Sequence, residues 1–107
     1  MKRFDLSSYA SDGIRVLSGR EKGEAVRKDL HLDELDGLID EEVFLVVPPT
    51  LIRHVNSSFF LGLIGESVKR LGRIAFAQRY KVEGLPGVEE RFRQAVDRML
   101  LTTAPLP

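Results

Sequence analysis

A chain of 107 residues, 43% hydrophobic and 30% charged, has the composition of one globular domain able to close around a single core. Its 16 Lys plus Arg balance 16 Asp plus Glu, which argues against a surface built to coat nucleic acid or anionic membrane, since both select a basic excess. There is no cysteine, so disulfides, thiolate metal sites and a thiol nucleophile are excluded.

The first residues, Met1-Lys2-Arg3-Phe4-Asp5, are too polar to open a signal peptide, and no apolar run approaches about 18 residues. A cytoplasmic protein is expected. Lys2 to Ser8 alternates, with Phe4 and Leu6 on one side, and predicts a short half-buried strand at an edge. Ser11-Asp12-Gly13 is a turn signal, and Ile14-Arg15-Val16-Leu17 reads as a second short extended segment. Ser18 and Glu21 have the spacing of a capping box, opening a helix to about His31 that buries Ala25, Val26 and Leu30. The acidic stretch Leu32 to Asp40 has helical spacing and either continues that helix after a bend or forms a separate turn.

Val43-Phe44-Leu45-Val46-Val47 is the strongest strand signal, an unbroken apolar run of the kind found where both faces of a strand are covered. Pro48-Pro49 stops it, because neither residue can donate to a ladder. After a connector from Thr50 to Val55 comes a helix from about Ser57 to Leu71, with Ser57 or Ser58 as N-cap and Gly72 closing it. Phe60, Ile64, Ser67, Val68 and Leu71 share one face of that helix. Gly62 and Gly65 weaken it, which points to close approach of the helix to a sheet. Arg73 to Val82 reads as a strand, Gly84-Leu85-Pro86-Gly87 as a break, and Val88, Phe92, Ala95, Val96 and Met99 as the buried face of a last helix. Residues 1–101 form a single domain in this reading, with 102–107 a flexible C-terminal tail. Alternation of strands and helices predicts an α/β layer, a mixed sheet of about four strands with helices mainly on one face. Its predicted core is Phe44, Val46, Ile64, Val68, Ile74, Phe76, Phe92 and Val96.

Catalytic patterns are mostly absent from this chain. His31 and His54 have no metal-ligand spacing, and His54 three residues before Ser57 lacks the Gly-x-Ser-x-Gly elbow of a nucleophilic serine. Gly19-Arg20-Glu21-Lys22-Gly23 lacks the Gly-Lys-Ser/Thr ending of a phosphate loop and reads as a surface helix start. The arginines 91, 93 and 98 are interleaved with acids, as on a solvated helix face. Asp33, Glu34, Asp36, Asp40, Glu41 and Glu42 form an acidic patch, either a solvated turn or a surface for a divalent ion or basic partner. No enzyme, cofactor or metal is indicated.

Two blocks carry a resemblance. Leu17-Ser18-Gly19-Arg20-Glu21 through Leu30, and Asn56-Ser57-Ser58-Phe59-Phe60 through Leu71-Gly72, are similar to the STAS-like family of bacterial domains of unknown function. These are distant relatives of STAS domains and anti-sigma-factor antagonists, and the resemblance covers roughly residues 2–100. In the antagonists a serine at this helix start, usually after an Asp, is phosphorylated by a histidine-kinase-like ATPase that doubles as the anti-sigma factor. Phosphorylation releases the complex. The resemblance implies Ser57 as phosphoacceptor, Ser58 as the second serine, and Asn56, Phe59 and Gly62 as partner-interface residues. It departs at Asn56, which replaces the Asp, and at Phe59, where the antagonists commonly have glycine. Leu61 and Gly62 stand where STAS-like relatives often have acids. The function implied is a regulatory protein–protein interaction module without catalytic residues, binding neither nucleic acid nor membrane. The alternatives are a non-switching scaffold of the same fold and a hydrolase using Ser57 and His54.

Overall fold

The apolar run at 43–47 forms the middle strand of a three-stranded sheet in the computed structural model, which describes residues 1–10, 16–38, 40–49, 52 and 54–103. In chain order the elements are β1 (Lys2–Asp5), β2 (Val16–Leu17), α1 (Arg20–Leu30), α2 (Leu32–Asp36), β3 (Val43–Val46), β4 (His54–Val55), α3 (Ser57–Arg79), β5 (Tyr80–Glu83) and α4 (Pro86–Thr103). A 3-10 turn at Leu6–Tyr9 follows β1, with Asp5 accepting from the Ser7 N–H at 2.8 Å as its cap. The fold is α/β, as the alternating pattern predicts.

The sheet departs from the expected four mixed strands. β1, β3 and β5 pair in parallel in that order, and β2 and β4 form a separate parallel pair through Val16–His54 and Leu17–Val55. Parallel neighbours require crossovers, and these place α1 and α3 after the paired strands β2 and β4. The turn signal at 11–13, Ile14, Arg15, much of the 50–53 connector and residues 104–107 lie outside the described residues.

Helix α3 is the hub. Its first helical stretch ends at Leu71 as predicted, where Gly72 (φ 81, ψ 167) leaves the helical backbone, and a second helical stretch follows across that kink to Arg79. Only glycine adopts that backbone conformation without strain. The segment 73–82, predicted as a strand, is therefore helical to Arg79, and only Tyr80–Glu83 is extended. Successive helical residues turn by about 100°, so Ile74 and Phe76 cannot share a face. Phe76 is buried and Ile74 is 75% exposed, which removes Ile74 from the predicted core.

The glycines of α3 serve helices, not a sheet. A Cβ on Gly62 would stand 2.0 Å from the Arg20 carbonyl oxygen of α1, and one on Gly23 would stand 2.0 Å from the Phe59 carbonyl oxygen of α3. The two helices thus cross backbone to backbone in their first turns. Gly65 instead makes room for the Met99 side chain of α4. Around these crossings Phe59, Phe60, Leu63, Ile64 and Val68 are fully buried. Phe60 meets Phe92 edge to face at 5.3 Å between centroids, and Phe76 stacks on Tyr80 at 4.8 Å.

The other core predictions divide by face. Val68, Ile64, Phe92 and Val96 are buried as predicted, but Phe44 and Val46 are only half-buried. Along β3 it is Val43 and Leu45, continued by Val47, that turn toward the core, because a period of two puts alternate residues on opposite faces. In α1, Ala25 is exposed and Leu30 half-buried, while Arg27 lies inside beside Val26.

Candidate functional site

Parallel pairing of β2 with β4 delivers two helix starts to one place, since α1 follows β2 and α3 follows β4. Asn56 joins them. Its side-chain oxygen accepts from the Phe59 N–H at 2.8 Å and from the Gly19 N–H at 3.4 Å. Asn56 is therefore the N-cap of α3, and neither Ser57 nor Ser58 is. The expected Ser18–Glu21 capping box is also not formed: Gly19 is the N-cap position of α1, with no side-chain cap.

Ser57 and Ser58 occupy the first two helical positions of α3. Both are half-buried, and among the described residues neither hydroxyl has a hydrogen-bond partner. As first-turn residues they stand at the positive dipole end of α3, where backbone N–H groups lack intrahelical partners. His54 is exposed on β4 and makes no hydrogen bond to Ser57, so the geometry a Ser/His nucleophile requires is not present.

Two predicted interface residues lie inside. Phe59 is fully buried and Gly62 faces the α1 backbone, because these two lie on the side of α3 that crosses α1, whereas Ser57 starts the opposite side. Their role is to seat the helix start. Of the predicted set, Asn56, Ser57 and Ser58 keep surface exposure.

A second polar assembly, missed in the sequence, lies about 10 residues along α3. Arg27 of α1 is buried and donates to the Leu63 carbonyl at 3.0 Å, to Ser67 Oγ at 2.7 Å, to Asp33 Oδ1 at 2.6 Å and to Asp36 Oδ2 at 3.1 Å. Asp36 also accepts from Ser67 Oγ at 2.6 Å and from the Tyr80 hydroxyl at 2.5 Å. Arg70 approaches both carboxylates at 3.4 Å. Arg79 donates to the carbonyls of Leu35, Asp36 and Glu41, tying the end of α2 to the end of α3. Burial raises the Tyr80 phenol above its ordinary value, and the bond to Asp36 adds to the shift. The Arg27 hydrogen bond holds Asp33 below the usual carboxylate range.

This assembly corrects the acidic-patch reading. Asp36 is an interior residue, Asp33 pairs with Arg27 and Arg70, and among the described residues no buried side-chain polar atom lacks a partner. Four elements are locked by closed hydrogen bonds, which suits a structural clamp better than a reacting centre. One signal was available: Ser67 is the lone polar residue on the apolar face of α3. Arg27 gave none, since an arginine among charged neighbours reads as solvated.

Comparison of the chain with protein-family models, with curated proteins and with solved structures gave no match.

Proposed function

We propose that the protein is a non-enzymatic regulatory protein–protein interaction module, STAS-like in fold and resembling an anti-sigma-factor antagonist. In this reading Ser57 is the phosphoacceptor, with Ser58 beside it, and the partner is a histidine-kinase-like ATPase. The observation that carries the reading is the division of roles at the start of α3. Asn56 does the capping, which leaves the Ser57 and Ser58 hydroxyls without a structural task at an accessible helix start.

The chemistry of a switch follows from that arrangement. A phosphate on Ser57 adds nearly two negative charges and three acceptor oxygens. At the start of α3 the helix dipole and its first-turn N–H groups favour such an anion, so modification need not disturb the fold. A partner surface shaped for a neutral hydroxyl meets a bulky dianion instead, and the complex weakens. Phe59 and Gly62, locked into the core, keep the serines in register with α1.

The test is affinity capture with wild type, Ser57→Ala and Ser57→Asp, read by mass spectrometry for partner and phosphate. The proposal expects a kinase-like ATPase on wild type and Ser57→Ala but not on Ser57→Asp, with phosphate on Ser57 of wild type. Identical capture by all three, with no phosphate, would leave the scaffold reading in its place.

A further inference from the structure

The sheet β1–β3–β5 is parallel throughout, and sheets of that kind occur almost only with both faces covered. One face here meets the core through Val43 and Leu45. On the other, Phe44 and Val46 are half-buried, and neither belongs to the core cluster of the described residues. The strand register fixes what surrounds them. Arg3, Phe44 and Lys81 form one row across the sheet, and Asp5, Val46 and Glu83 form the next. Arg3 stands 5.8 Å over the Phe44 ring and bridges Glu83 at 2.5 and 2.8 Å, so Arg3, Phe44 and Glu83 share the face. The register places Asp5, Val46 and Lys81 on the same side of the strands. A row of two cations flanking an aromatic ring thus lies about 7 Å along the strands from a row of two anions flanking a valine.

Such a face is complementary to itself. Turn a second copy over it about an axis running across the strands, midway between the rows, and each row meets the other. Arg3 faces Asp5 of the second copy, Lys81 faces Glu83, and Phe44 faces Val46, each contact occurring twice. The carboxylate of Asp5 that caps the 3-10 turn through the Ser7 N–H, and the Lys81 ammonium that donates to the Ala77 carbonyl at 2.5 Å, both retain capacity for such a contact. We infer that the outer face of this sheet is the contact surface of a dimer of this chain, closed by those rows. Three strands span only about 10 Å between the outer two, so the contact is small and the dimer weak and salt-sensitive. It is separate from the Ser57 helix start and does not rest on phosphorylation there.

Two variants test the pairing while keeping the Arg3–Glu83 bridge within each chain. Arg3→Glu with Glu83→Arg reverses that bridge but sets like charges against Asp5 and Lys81 of a second copy. Asp5→Lys with Lys81→Glu leaves it untouched and creates the same conflict from the other row. Sedimentation equilibrium of wild type at low salt should show a monomer–dimer equilibrium that loosens as salt is added. Each double variant should dimerise at least about tenfold more weakly, with unchanged circular dichroism, and an equimolar mixture of the two should recover a dimer, since every cross-pair is then attractive. A wild type that stays monomeric to the highest concentration overturns the inference. So does a dimer that both variants form as tightly as wild type, which would place it on another surface, or a mixture that fails to recover.

Discussion

Removing the Ser67 hydroxyl takes a donor from Asp36 and an acceptor from Arg27 in one step, all three being buried. Ser67→Ala should cost roughly 1–3 kcal/mol, and Tyr80→Phe, which withdraws the other hydroxyl from Asp36, about the same. Because both donate to one carboxylate, urea unfolding of the double variant should show a loss that departs from the sum of the singles by at least about 0.5 kcal/mol. Additive losses would mean that the two hydroxyls do not act on a common acceptor. The phenols make a second claim. Burial raises Tyr80 above the ordinary value of 10.0, and burial with the Asp29 bond pushes Tyr9 up to about 12. A raised value favours the neutral phenol in the folded state, so this contribution to stability is complete below pH 10.0 and fades as the pH rises through the folded values. Near-ultraviolet titration of the chain's two tyrosines should therefore show well under half ionisation at pH 10.0 in the folded protein. Half ionisation there would contradict the burial described.

Among the elements, the α1–α3 crossing is the least forgiving. A methyl on Gly62 meets a carbonyl oxygen of the α1 backbone, which cannot move without shifting the helix, whereas a methyl on Gly65 meets the flexible end of Met99. Gly62→Ala should destabilise by about 1–3 kcal/mol and Gly65→Ala by clearly less, compared by urea midpoint. Equal losses would mean that the crossing has room to relax. The periodicity of α4 and the existence of α1, β3 and the first part of α3 were legible because each carries one unambiguous pattern. The 73–79 segment was not. Ile74-Ala75-Phe76-Ala77 alternates in size like a strand, yet alanine is the best helix former, and the end of α2 held by Arg79 favours the helix. In β3 both parities are apolar, so the pattern shows a strand without showing which face turns inward.

At the scale of the whole molecule, the α/β order was readable from alternating elements, but the division into two parallel sheets was not, because β2 and β4 are two residues each and find each other only through the packing of α1 on α3. The candidate site was half legible. Asn-Ser-Ser marks a helix start, but which of the three caps it depends on Asn56 reaching both Phe59 and Gly19, a contact that joins residues 37 apart. That contact frees Ser57, and on it the proposed function stands. The most direct measurement is the affinity of the captured ATPase partner for the unmodified chain and for the same chain carrying phosphate on Ser57 alone. The account predicts binding at least about tenfold weaker for the phosphorylated chain, with its circular dichroism unchanged. Equal affinity for the two forms would contradict it.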